Sequence, residues 1–249
     1  MFLRRLREYG KFLKSLFRIN TRLLWGMWRL TKLPQPAITV FGGSRIPRDG
    51  LHAKMAMELS KKLAADGFSI ITGGGPGIME AANMGAIEHL KECHMGKGEN
   101  CYSEYVSAGI GLVRLNMEKA NPYVQENIFM SHFFSRKWLL VRYSVGFAIF
   151  PGGFGTLDEL FEIVTLVQCN RMRRLPIVLV DSSFWYPLLE WIEHRALPYQ
   201  LIDEKDKNIF TVVDTVEEAF AILQKSKTFK QSLMSNGSDR PEDTPKNNQ

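Results

Sequence analysis

Cysteine is scarce and poorly placed to build structure: Cys93, Cys101 and Cys169 are an odd number at irregular spacing. That excludes a disulfide scaffold and fits a reduced, cytoplasmic setting, which the lack of a signal-peptide core with a small-residue cleavage site also favours. Cys93, His94 and Cys101 have no recognised zinc spacing and no fourth ligand, so no metal is expected. Long apolar runs are missing too. After Arg22 the basic N-terminal stretch offers only Leu23 to Trp28 without a charge, far short of the ~20 residues that cross a bilayer. No serine sits in a G-x-S-x-G elbow, and His52, His89, His94, His132 and His194 are scattered, which removes the usual hydrolase triads from consideration.

Acidic residues are nearly absent from residues 1–33, where Glu8 stands against nine lysines and arginines. That segment carries +8 of a chain whose net charge is +6, so the remainder is −2 and close to neutral. The basic balance therefore belongs to an extension and gives no reason to expect nucleic-acid binding. Leu3, Leu6, Leu13, Leu16, Phe17, Leu24, Met27 and Leu30 recur there at helical spacing among Arg5, Lys11, Lys14, Arg18, Arg22 and Arg29. The pattern predicts an amphipathic basic helix or helix pair, packed on the body of the protein in preference to a peripheral contact with anionic lipid.

What is abundant is the alternation of apolar runs and helical patterns after Leu33. Residues 34–225 contain buried-strand candidates at Ala37–Phe41, Phe68–Thr72, Val106–Leu115, Asn127–Phe133, Val145–Phe150 and Pro176–Val180. Helical patterns at Leu51–Ala65, Ser135–Tyr143, Leu157–Gln168, Trp185–Arg195 and Val216–Gln224 lie between or after them. This grammar predicts one α/β domain, a Rossmann-like, doubly wound parallel sheet with helices on both faces. A chain of 249 residues with 45% hydrophobic content can bury such a core. Residues 226–249 are polar and predict a disordered tail.

Three glycine-containing loops follow strands directly, at Gly42-Gly43-Ser44, Gly73-Gly74-Gly75-Pro76-Gly77 and Pro151-Gly152-Gly153-Phe154-Gly155-Thr156. Glycine lets backbone N–H groups turn toward an anion, and a helix N-terminus adds unpaired donors and positive dipole. In an open parallel sheet such loops converge on one crevice beyond the strand carboxyl ends. Ile78 stands where the dinucleotide fingerprint wants its last glycine, and neither long loop carries the Lys-Ser/Thr of a P-loop. NAD and ATP chemistry lose support, and a nucleoside monophosphate fits the cradle better.

Gly73-Gly74-Gly75-Pro76-Gly77-Ile78-Met79, Ser135-Arg136-Lys137 and Pro151-Gly152-Gly153-Phe154-Gly155-Thr156-Leu157-Asp158-Glu159 together resemble the Lonely Guy (LOG) family over about residues 37–224. Its members are nucleoside 5′-monophosphate phosphoribohydrolases, cytokinin-activating enzymes among them, often mislabelled as lysine decarboxylases. The resemblance implies Glu159 and Arg136 as catalytic residues. It implies phosphate and ribose contacts at Ser44, Gly74, Gly75, Gly77, Lys137, Gly153, Gly155 and Thr156, no cofactor and a homodimer. Glu80, where plant-type members commonly carry glycine, and the long 91–105 linker look more like the bacterial branch. AMP and a cytokinin riboside 5′-monophosphate both remain open as substrates.

The residues support that chemistry independently. Cleaving an N-glycosidic bond builds positive charge on the sugar, which a carboxylate stabilises while it takes a proton from attacking water. Glu159, three residues past Thr156, is expected in the first helical turn, held ionised by the helix dipole and Arg136. No side chain in the motifs suits protonation of the departing base. Lys137 as a Schiff-base lysine is disfavoured, because an arginine stands beside it with no evident desolvation. A carrier of the same fold that binds without turnover is the alternative reading, and it needs the loops but neither Arg136 nor Glu159.

Overall fold

The computed structural model describes residues 2–34, 36–96, 104–113 and 120–227. The expected tail from 228 on and residues 97–103 of the polar linker, Cys101 among them, lie outside the described residues. A long helix α1 (Phe2–Leu30) precedes an alternating series: β1 (Ala37–Phe41), α2 (Leu51–Ala65), β2 (Ser69–Thr72), α3 (Ile78–His94) and β3 (Ser107–Leu112). Then come β4 (Glu126–Met130), α4 (Phe133–Arg142), β5 (Gly146–Ile149), α5 (Phe154–Gln168), β6 (Ile177–Val180), α6 (Ser182–Trp191), β7 (Thr211–Val213) and α7 (Val216–Gln224).

The strands form one parallel sheet in the order β4-β3-β2-β1-β5-β6-β7. Strands β1, β2, β5 and β6 are buried along their whole length, because helices cover both faces and leave no side for polar alternation. Ile38, Val40, Ile70 and Ala148 pack on one face with Leu59, Leu63, Ala82, Ala86 and Leu223 of α2, α3 and α7. Phe41, Ile71, Phe147 and Ile149 pack on the other with Leu30, Leu139, Leu140, Leu160 and Ile163 of α1, α4 and α5. The chain leaves β1 toward β2 on one side and takes up β5 on the other. The topological switch point, where such sheets bind ligands, therefore lies between β1 and β5.

Element types agree with the sequence patterns, and the ends are where they differ. Helix α5 begins at Phe154, three residues before the hydrophobic period at Leu157. Helix α6 passes into a π turn at Ile192–Ala196, and a 3-10 turn at Glu204–Ile209 precedes β7. The extension is one helix rather than a pair, and its last turns dock on the sheet edge: Leu30 and Leu33 are buried, and Gly26 lies against Met130, Ile128 and Leu139. Arg29 and Lys32 both pair with the buried Glu126 of β4. Cys169 is free and exposed, but Cys93 is disulfide-bonded, contrary to the expectation of three reduced thiols.

Candidate active site

The loops after β1, β2 and β5 interlock at the switch point. The N–H of Gly43 donates to Pro151 O at 2.9 Å, and that of Ile78 donates to Gly43 O at 3.2 Å. Gly77 has φ +67°, and a Cβ there would stand 2.4 Å from Gly43 O and 2.8 Å from the backbone of Ser44. A Cβ at Gly152 would stand 2.1 Å from Thr156 Oγ1. Backbone thus passes backbone with no room for a side chain, and Ser44, Gly77, Gly152 and Thr156 come into one small region. Gly153 and Gly155 differ: they are exposed, and no heavy atom lies within 4 Å of a Cβ built on either. They border open space at the head of α5. No side chain caps α5, or α3 at Gly77; Gly43 O accepts from the first N–H of α3, and the exposed first turn of α5 is the one suited to an anion.

The first glycine loop is fixed from below by a buried polar network with no signal in any motif string. Thr72 Oγ1 donates to Asn83 Oδ1 at 2.7 Å and accepts from Gly74 N at 2.9 Å. Asn121 donates from its backbone N to Gly74 O at 2.9 Å and from Nδ2 to Gly75 O and Asn83 Oδ1, both at 3.0 Å. Asn83 Nδ2 donates to Ser107 Oγ at 2.8 Å. A fully buried asparagine in an apolar helix face was the available clue, since such a residue must find partners. Asn83→Leu is expected to strand Thr72 and Asn121, to destabilise the fold by about 2–4 kcal/mol, and to raise KM for a phosphorylated ligand. Thermal denaturation and steady-state kinetics check both.

Arg136 and Glu159 meet across the crevice. Arg136 leaves the first turn of α4 and donates from Nε to Ile110 O at 2.9 Å and from Nη1 to Glu159 Oε1 at 2.8 Å. A Cβ at Gly73 would meet its Nη2 at 2.5 Å, so the tip of the guanidinium lies close against the first glycine loop. Glu159 is 3% exposed, and its Oε2 has no partner. Burial pushes the Glu159 carboxyl above its ordinary range. Arg136 and Lys137 pull it back, and Glu162 and Asp158 push the same way as burial. The net shift is upward, the opposite direction from the one that a helix terminus and Arg136 alone would give. Because α5 starts at Phe154, Glu159 sits in the second turn, where the dipole has faded and dehydration dominates.

Lys137 pairs with Asp158 at 2.8 Å and Glu162 at 2.7 Å on α5. Burial lowers its pKa, but the hydrogen bonds to these two carboxylates and the Glu159 charge more than offset this, and the amine lies above its ordinary range. A protonated, doubly paired amine is no nucleophile, which argues against Schiff-base chemistry at this position.

Comparison with known proteins fits this arrangement. A family model described as "possible lysine decarboxylase" matches residues 79–223. The chain is 28% identical over 189 residues to the cytokinin riboside 5′-monophosphate phosphoribohydrolase LOG of Oryza sativa subsp. japonica, covering 76% of this chain and 72% of that protein. It is 28% identical over 180 residues to the pyrimidine/purine nucleotide 5′-monophosphate nucleosidase of Escherichia coli K12, covering 69% of this chain and 37% of that longer protein. Among solved structures, the X-ray structure of TM1055 aligns with a TM-score of 0.52 at 21% identity, over 77% of this chain and 99% of that one. The molybdenum cofactor carrier protein of Chlamydomonas reinhardtii aligns at 0.50 and 19%, over 78% and 99%. These two show the fold alone. The family model spans more than half of the sequence and includes both Arg136 and Glu159, and the chain belongs to the family described as possible lysine decarboxylases, the LOG family.

Proposed function

We propose that this protein hydrolyses the N-glycosidic bond of a purine nucleoside 5′-monophosphate, AMP or a cytokinin riboside 5′-monophosphate, to free base and ribose 5-phosphate. The observation that carries the reading is the buried Arg136–Glu159 pair, which leaves one carboxylate oxygen without a partner while Arg136 lies against Gly73 of a glycine loop. The 5′-phosphate lies against the open N–H groups of Gly153 and Gly155, with Thr156, Ser44 and the Gly74–Gly77 loop completing the cradle. Glu159 Oε2 takes the proton of the attacking water and faces the positive charge that grows on the ribose, while the departing base takes its proton from solvent. Arg136 holds the other oxygen so that Oε2 points one way. Lys137 acts from behind, locking α4 to α5 through Asp158 and Glu162. The relatives of rice and Escherichia coli bear names of this reaction class, which supports the same reading. A carrier of this fold has no use for a dehydrated Arg–Glu pair in its crevice.

The site also supports a homodimer. Phe133, Phe134 and Trp138 on α4 and Phe154 at the head of α5 are exposed around the Arg136–Glu159 pair, Phe154 at 92%. A second copy meeting this face covers them and closes the crevice to bulk water; sedimentation of the full chain reads the assembly. Release of base and ribose 5-phosphate from AMP, and in parallel from isopentenyladenosine 5′-monophosphate, tests the reaction. The ratio of the two rates assigns the preferred base. Tight nucleotide binding with no release from either defeats the enzymatic reading.

A further inference from the structure

Helix α1 continues far beyond the part that docks. It runs antiparallel to β4: Gly26 lies against Met130 at the end of that strand, while Arg29 and Lys32 reach Glu126 at its beginning. Residues before Arg22 therefore extend past the carboxyl edge of the sheet, the edge that bears the glycine loops, for about 30 Å at 1.5 Å per residue. Along this arm Tyr9, Phe12, Leu13, Leu16 and Phe17 are exposed, Phe12 at 62% and Phe17 at 71%. With Leu24 they occupy an arc of roughly 140° on the helix. Arg7, Lys11, Lys14, Arg18 and Arg22 lie on the opposite side, and Arg5 alone of the described cations falls on the apolar one. Lys11 pairs with Glu8. Among the described residues, no carboxylate pairs with Arg5, Arg7, Lys14, Arg18 or Arg22. Near the junction, Trp25 and Trp28 are also exposed.

We propose that the free part of α1 lies in the surface of an anionic lipid bilayer, its aromatic and leucine face in the headgroup boundary and its cations against the lipid phosphates. No helix among the described residues is long and apolar enough to cross a membrane, which leaves the in-plane orientation. An apolar arc opposite a cationic one, with aromatic residues in the apolar half, is the pattern of a surface-bound helix. Charge selects lipid over a second copy of the arm, because residues 1–33 carry +8 and a pair of arms brings like charges together. The apolar arc selects lipid over nucleic acid, whose backbone offers nothing to bury phenylalanine.

The test is co-flotation of the full chain with vesicles of phosphatidylcholine and phosphatidylserine at 7:3, beside vesicles of phosphatidylcholine alone. Binding is expected to the anionic vesicles, to weaken with added salt, and to be much lower on neutral ones. Lys11→Gln/Lys14→Gln/Arg18→Gln is expected to weaken it about a hundredfold, at about fivefold per cation. Phe12→Ser/Phe17→Ser is expected to weaken it by at least tenfold, with the melting temperature and the nucleotide hydrolysis rate unchanged. Equal binding to both vesicle types overturns the proposal. So does anionic binding that survives loss of both phenylalanines, which marks simple charge attraction without insertion of the apolar face. Absence of vesicle binding, together with a dimer that Phe12→Ser/Phe17→Ser dissolves, overturns it in favour of a second copy.

Discussion

Replacing Glu159 by glutamine is expected to lower the rate of base release from AMP by about 10²- to 10⁴-fold, the usual worth of a positioned general base, while nucleotide binding persists. Glutamine keeps the shape and can still accept from Arg136 Nη1 through its own Oε1, so the 2.8 Å contact survives in neutral form. What is lost is the second oxygen, Oε2, which is buried without a partner. A buried carboxylate oxygen left unpaired is costly, and a site that retains one has a use for it. The pH profile carries the same signature. Burial raises the Glu159 pKa, so the wild-type rate is expected to fall with acid at a midpoint above the ordinary carboxylate range. The sign for stability runs the other way from activity. A group whose pKa is raised on folding contributes stability below its unfolded value and loses it as pH rises through its folded value. At neutral pH the variant is therefore expected to be at least as stable as wild type, with the difference narrowing toward acid. Rates from pH 4 to 8 and melting curves over the same range check both halves. An unchanged rate makes Glu159 a structural support of α5.

The sheet and the convergence of the loops were legible because three apolar strands, β1, β2 and β5, run directly into glycine-containing loops, and those after β2 and β5 open helices. Pairing of Arg136 with Glu159 was legible only through the motif resemblance: 23 residues of chain separate them, and no periodicity relates positions on two different helices. The direction of the Glu159 shift depends on where α5 starts. Hydrophobic period points to Leu157, but α5 begins at Phe154 within the glycine loop, and three residues at 1.5 Å each put Glu159 about 4.5 Å further from the terminus, where the dipole has weakened. The role of Lys137 was hidden likewise, since its partners Asp158 and Glu162 belong to the facing helix. Thr72, Asn83 and Asn121 escaped notice because their hydrogen bonds run between β2, α3 and the segment before β4. Burial alone reveals such a network, and sequence spacing does not encode it. The amphipathic extension was readable as a helix; which of its turns dock was set by Gly26, whose missing side chain lets α1 settle onto Met130 and Leu139.

Two glycine-to-alanine changes separate the scaffold of the cradle from its contact surface. Gly77→Ala is expected to lower kcat/KM on the order of a hundredfold, the scale of an ångström-sized misplacement, and to cost on the order of 2–4 kcal/mol in stability. At φ +67° an L side chain is strained, and its Cβ would stand 2.4 Å from Gly43 O and 2.8 Å from Ser44 C and O. All three atoms are backbone, so nothing short of parting the first and second loops relieves the clash. Gly153→Ala meets the opposite circumstances. Its φ is −93°, no heavy atom lies within 4 Å of the new methyl group, and the fold is expected to tolerate it within about 0.5 kcal/mol. The open space beside Gly153 is where the reading above puts the 5′-phosphate, so this methyl group should clash with ligand and with nothing else. KM for AMP is expected to rise roughly tenfold, about 1.4 kcal/mol of lost binding, and inhibition by ribose 5-phosphate to weaken in parallel. Kinetics beside a melting curve distinguish the two variants. If Gly153→Ala left both KM and product inhibition at wild-type values, the phosphate would not sit at the head of α5, and Glu159 would lose the anchor that brings the glycosidic bond to its free oxygen.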